Sequence, residues 1–130
     1  MPHEAEIRVA RGAEAQAGPP SIVLTHHRAG VAEIKLEELS GGRLLHLALA
    51  GCVFNNVLRM AKERGIDVDE ASVRVSGGFT DDGASTGIEC HVDVSGDASP
   101  PDLRGLAQAA FDDSTVRAAL QQGARVSLAS

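Results

Sequence analysis

Residues Ser40 to Gly65, "SGGRLLHLALAGCVFNNVLRMAKERG", decide the fold. The segment contains no proline. Ser40 suits an N-cap, Lys62 and Arg64 suit a last turn, and Gly65 suits a left-handed stop just past the end. Together these signals predict a single helix of about seven turns, roughly 35 Å long at ~1.5 Å per residue. Placed at 100° steps, Leu44, Leu45, Leu47, Leu49, Val53, Phe54, Val57, Leu58 and Met60 land all around the wheel. A helix apolar on every side is buried on every side. A chain of 130 residues with modest strands has little material to wrap it alone. The expectation is therefore a homodimer with this helix near its centre.

Working outward, the flanking segments read as strands and short helices. Upstream, Glu6–Ala10 alternates as a short strand. "SIVLTHHR" (21–28) and "GVAEIKLEE" (30–38) form a hairpin about Arg28–Ala29–Gly30. Downstream, "DEASVRVSGGFTDD" (69–82) and "TGIECHVDVSG" (86–96) are two more strands around the turn "TDDGAS". "SPPDLRGLAQAAF" (99–111) opens with Ser99 as N-cap and Pro100 at the first helical position, where its missing N–H is harmless. "DDSTVRAALQQG" (112–123) is a short third helix that starts at Asp113 or Ser114, and "ARVSLAS" (124–130) is a last strand. The order β-β-β-α-β-β-α-α-β with hairpin-linked strands predicts an α+β class with mostly antiparallel sheets in one domain, 1–130.

One polar stripe interrupts the long helix. Cys52, Asn55, Asn56 and Arg59 lie at i, i+3, i+4 and i+7, a single face. Helical side chains lean toward the N-terminus, so Arg59 leans back toward Cys52. A cation and amide donors favour thiolate over thiol. The same spacing is also that of a packed core cysteine, because free Cys is among the most buried residue types. Cys90 falls on the apolar face of its strand and reads as packing. The histidines do not share a face: His26 and His27 point to opposite sides of one strand, and His46 lies off the polar stripe. No C-x-x-C or H-x-x-x-H spacing occurs, so no metal site and no cofactor are expected. Gly41–Gly42 and Gly77–Gly78 match no phosphate-binding loop and read as turns or bulges.

Composition narrows the partners. The net charge is −6 and aromatic residues are only 2% of the chain, so it lacks both the basic surface and the stacking rings that nucleic acid requires. A polyanionic membrane face is excluded on the same charge. The uncharged run Leu44–Leu58 is short for a bilayer span and carries His46, Asn55 and Asn56. Two cysteines and an N-terminus without an apolar signal core predict free thiols and a cytoplasmic setting.

The segment "GGRLLHLALAGCVFNNVLRMAKERGIDVDEASVRVSGGF" (41–79) resembles the central helix and following strand of the OsmC/Ohr family, and the strand order fits across nearly the whole chain. The resemblance implies an intertwined α+β homodimer with two active sites at the subunit interface. Many relatives reduce organic hydroperoxides with a helix cysteine, a second cysteine, an arginine and a glutamate. The helix cysteine maps onto Cys52, and the arginine onto Arg11, with Arg8 as a weaker match. Ser114 stands where the family has its second cysteine, and Gly42 where it has the glutamate. Two readings follow from the resemblance. In one, the chain is a one-cysteine peroxidase with Cys52 as nucleophile, Asn55, Asn56, Arg59 and Ser114 lining the site, and an external thiol as reductant. In the other, it is a non-catalytic homodimer that binds a small apolar ligand at the subunit interface.

Overall fold

The computed structural model describes residues 3–10 and 21–129. Five strands, β1 (Ala5–Ala10), β2 (Ser21–His26), β3 (Gly30–Lys35), β4 (Val68–Phe79) and β5 (Ser85–Gly96), form one antiparallel sheet in the order β2-β3-β1-β4-β5. Three helices, α1 (Gly41–Glu63), α2 (Pro100–Asp112) and α3 (Thr115–Gln122), complete the architecture. The register carries a row of β-branched side chains across all five strands: Ile22 opposite Ile34, Ile34 opposite Ile7, Ile7 opposite Val73, and Val73 opposite Val92. Such side chains favour the pleated surface and pack against one another across strands.

Helix α1 lies on that face. Ser40 caps it, its hydroxyl accepting from the Arg43 N–H, and Gly65 takes φ 70° just past its end. Ala50, Val53, Phe54, Val57 and Ala61 form its buried stripe, meeting Val73 and Val75 of β4. Helix α2 closes the side of this core with Leu106 and Ala110. His46 is also fully buried. Its Nδ1 donates to the carbonyl of His3, and its ring stacks on Phe79 at 5.8 Å between centroids. It is a core histidine.

As the sequence reading anticipated, the helix is not enclosed all round within one chain: Leu44 is 48% and Leu45 36% exposed, and Ala48 is open beside them. By length and composition α1 could cross a bilayer, yet its opposite stripe is packed on the sheet. One expectation changes: the last strand is not formed among the described residues. Residues 123–129 pair with no strand, and Val126 and Leu128 are 88% and 97% exposed. Alternation alone does not make a strand; it needs an edge to bond to. The chain's own sheet ends at β2 and β5, and this segment reaches neither.

Phe54 is central to the packing, fully buried against the core and met edge-on by the His26 ring at 5.1 Å. Phe54→Ala is expected to lower folding stability by about 3–5 kcal/mol through lost transfer energy and a residual cavity. Urea unfolding followed by far-ultraviolet dichroism measures this.

Candidate functional site

The corner between α2 and α3 builds the site. Asp113 caps α2, its N–H bonding to the Ala109 carbonyl, and Ser114 follows as the N-cap of α3. Arg117 clamps the corner: its Nε donates to the Phe111 carbonyl at 3.1 Å and an Nη to the Asp112 carbonyl at 2.8 Å. The Ser114 Oγ accepts from the Arg117 backbone N–H at 3.1 Å, which turns its own proton outward. That proton goes to the Cys52 Sγ, 3.1 Å away. The Thr115 hydroxyl lies 3.7 Å from the same sulfur. Ser114 is only 1% exposed, so water does not compete for its hydroxyl.

The sulfur thus faces the first turn of α3, where backbone N–H groups are unpaired and the helix dipole is positive. Burial is the largest single influence on the Cys52 thiol and pushes its pKa up. The Ser114 hydroxyl, the Val116 N–H, the Thr115 hydroxyl and the Thr115 N–H all favour the thiolate, and together they outweigh burial. The thiol therefore ionises below its ordinary value. Cys90 shows the opposite case. It sits on the inner face of β5 with no such donors, and burial pushes it up to about 11.

The other expected residues divide. Asn56 is buried and donates to the Ala110 carbonyl at 3.1 Å, tying α1 to α2. Arg59 bonds Asp113 at 2.7 Å, Glu63 at 3.3 Å and the Asn56 Oδ1 at 3.4 Å. Its charge therefore braces the corner below the sulfur and is not among the donors that tune Cys52. Asn55 points elsewhere and accepts from the Arg28 Nε at 2.9 Å. Arg8 lies on the sheet face away from α1, since Ile7 and Val9 take the inner face. Arg11 lies outside the described residues. At Gly42, where the family resemblance leads one to expect a glutamate, an added Cβ would meet the Phe79 ring at 2.6 Å and the His3 ring at 3.0 Å. Among the described residues no cluster of His, Cys, Asp and Glu could hold a metal ion.

Thr115, Val116 and Arg28 were not anticipated, and Asp113 was expected only as a helix start. Ser114 was expected at the site from the family resemblance and lies 3.1 Å from the Cys52 sulfur, although spacing alone does not say that the "DDST" helix start abuts a residue 62 positions away. Arg28 sat in a hairpin turn with no local sign of a partner on α1.

A family model described as OsmC-like protein matches residues 33–129. The chain belongs to the OsmC-like family. The crystal structure of an OsmC-like hydroperoxide resistance protein from Jannaschia sp. CCS1 superposes with a TM-score of 0.59 at 14% identity, covering 96% of this chain and 90% of that one. This likeness establishes the shared fold. A search of curated proteins finds no match. Within the OsmC-like frame the thiol is held by oxygen and nitrogen donors, with a serine 3.1 Å from the sulfur.

Removing one donor tests the tuning. Ser114→Ala deletes a hydrogen bond made to the thiolate, so the Cys52 pKa is expected to rise, and labelling at neutral pH to slow. In native protein at pH 8, iodoacetamide is expected to modify Cys52 and leave Cys90 intact until denaturant is added. Peptide mass analysis across a pH series reads both.

Proposed function

We propose that this OsmC-like protein is a one-cysteine, thiol-dependent peroxidase acting on organic hydroperoxides, with Cys52 as the nucleophile. The observation that carries the reading is the convergence of the Ser114 hydroxyl and the α3 N-terminus on a thiol whose pKa they lower. Family membership and the printed function of the Jannaschia protein, hydroperoxide resistance, support it.

The thiolate attacks the distal peroxide oxygen. The S–O bond forms as the O–O bond breaks, giving a sulfenic acid on Cys52 and an alcohol once the departing alkoxide takes up a proton. The Ser114 hydroxyl and the Thr115 and Val116 N–H groups, which stabilise the thiolate, are the donors nearest the sulfur that takes up this oxygen. With serine at 114, no neighbouring thiol condenses with the sulfenic acid. An external thiol does so instead, releasing water and leaving a mixed disulfide. A second thiol then displaces Cys52 and restores the thiolate. Arg59 and Asn56 hold the corner that presents Ser114. A reducing compartment such as the cytoplasm suits this cycle.

The active form is a homodimer. Leu44, Leu45 and Ala48 form an open apolar ridge on α1, in line with Cys52. Ile22 and Leu24 form a second, on the free end of the sheet's inner face. A second copy that lays its hairpin over this ridge buries both patches and roofs the thiol.

Wild-type protein supplied with a small dithiol is expected to consume cumene hydroperoxide, and Cys52→Ser to lose that activity. Dimedone is expected to trap the sulfenic acid on Cys52. Equal peroxide loss by both proteins ends the peroxidase reading and leaves the non-catalytic one. Light scattering is expected to give a dimer for the wild type and a monomer for Leu44→Glu/Leu45→Glu.

A further inference from the structure

The two hydroxyls beside Cys52 are not equivalent. Ser114 is 1% exposed, and its hydroxyl is committed in both directions: the oxygen accepts the Arg117 N–H, and the proton goes to the sulfur at 3.1 Å. Thr115, the next residue and the first of α3, is exposed. Its hydroxyl stands 3.7 Å from the same sulfur, farther than that of Ser114, and the sulfur is its one partner among the described residues. Threonine is stiff at χ1, so the oxygen is held in place while its proton rotates to suit an acceptor.

Exposure decides which hydroxyl meets a substrate. Cys52 is partly exposed, and the Ser114 side of its sulfur is closed. A hydroperoxide arriving from solvent therefore reaches the sulfur past Thr115. Attack on the distal oxygen drives the electron pair of the O–O bond onto the neighbouring oxygen, one bond farther from the sulfur and in line with it. That oxygen leaves as an alkoxide, a strong base, and charge develops on it as the bond breaks. A donor placed to meet it stabilises the transition state more than the ground state. A hydroxyl 3.7 Å from the sulfur on the open side is within hydrogen-bond reach of an oxygen just beyond the one under attack. Arg59, the cation on the Cys52 face of α1, is occupied by Asp113, Glu63 and Asn56.

We propose that Thr115 is a catalytic residue whose hydroxyl donates to the alkoxide oxygen leaving the peroxide as Cys52 attacks. The proposal deepens the peroxidase reading and rests on it. The S–O bond forms, the O–O bond breaks with its electron pair on the departing oxygen, and a solvent proton completes the alcohol. The sulfenic acid remains on Cys52. Adjacent positions thus divide the charge between them. Ser114 meets it on the nucleophile, and Thr115 meets it on the leaving group. Peroxides whose leaving group is a strong base are the ones that need Thr115.

The test varies the leaving group. Reduced protein with threonine, valine or serine at position 115, each in a Cys90→Ser background, is oxidised by cumene hydroperoxide or by peracetic acid. The first expels an alkoxide, the second the much weaker base acetate. Loss of the Cys52 thiol is followed by stopped flow at a pH where its labelling by iodoacetamide has reached a plateau, so that ionisation is complete in all three. Thr115→Val keeps the shape and loses the hydroxyl. It is expected to slow the cumene hydroperoxide reaction at least about tenfold, less than the ~10²–10³ of a water-excluded oxyanion donor because Thr115 is exposed. The peracetic acid reaction is expected to slow at most about threefold, since less charge builds on its leaving oxygen. Thr115→Ser is expected to restore most of the cumene hydroperoxide rate. Plateau alkylation, which expels iodide and needs no donor, is expected to stay within about twofold in both variants. Equal losses with the two peroxides, or a Thr115→Val rate equal to that of threonine, overturns the proposal and leaves the peroxidase reading standing. Cys52 oxidised by cumene hydroperoxide no faster than free cysteine, with Thr115 in place, overturns both.

Discussion

Helix α1 needs an apolar surface on which to lie, and the sheet supplies one of limited width. The β-branched row running from Ile34 to Val92 is the counterpart of the Ala50–Val53–Phe54–Val57 stripe, and the pairing of these two surfaces orients everything else. It sets which side of the helix faces away from the sheet. It therefore also determines that Cys52, off the buried stripe, is delivered to the edge where α2 turns into α3. Moving the stripe by one residue rotates the thiol by about 100° and separates it from Ser114.

The site is assembled from a structural motif used twice. Ser114 ends one accounting problem, the unpaired N–H groups of a new helix, and with the proton left over begins another, the charge state of a thiol 62 positions upstream. The two hydrogen bonds are cooperative, since a hydroxyl that accepts from an N–H becomes a better donor. Around it, Arg59 with Asp113, Asn56 with the Ala110 carbonyl and Arg117 with the corner carbonyls hold the geometry from three sides. None of these braces needs to touch a substrate for the sulfur to depend on it.

Local signals carried much of this in the sequence. The caps at Ser40 and Ser99, the stop at Gly65, the two hairpins and the core status of Phe54 follow from short-range rules, and the structure repeats them. The stripe of Cys52, Asn55, Asn56 and Arg59 was legible as one face, because helical periodicity fixes directions on the wheel. What lies opposite each side chain was not legible. Arg59 pairs with Asp113 and not with the thiol, and Asn55 meets Arg28, because those partners arrive through tertiary folding across 54 and 27 positions. The segment 124–130 failed for a related reason. Its alternation is real, but a strand is a property of two backbones, and residues 123–129 pair with none among the described residues.

Gly42 has a consequence for what the start of α1 can carry. The volume beside its Cα is occupied by the Phe79 ring and by His3, which also carries the carbonyl that holds the buried His46. A side chain at position 42 meets the Phe79 and His3 rings, so a carboxylate there requires both rings to shift. The cost falls beyond position 42 itself, because the same His3 whose ring would move also carries the carbonyl that holds His46 in the core.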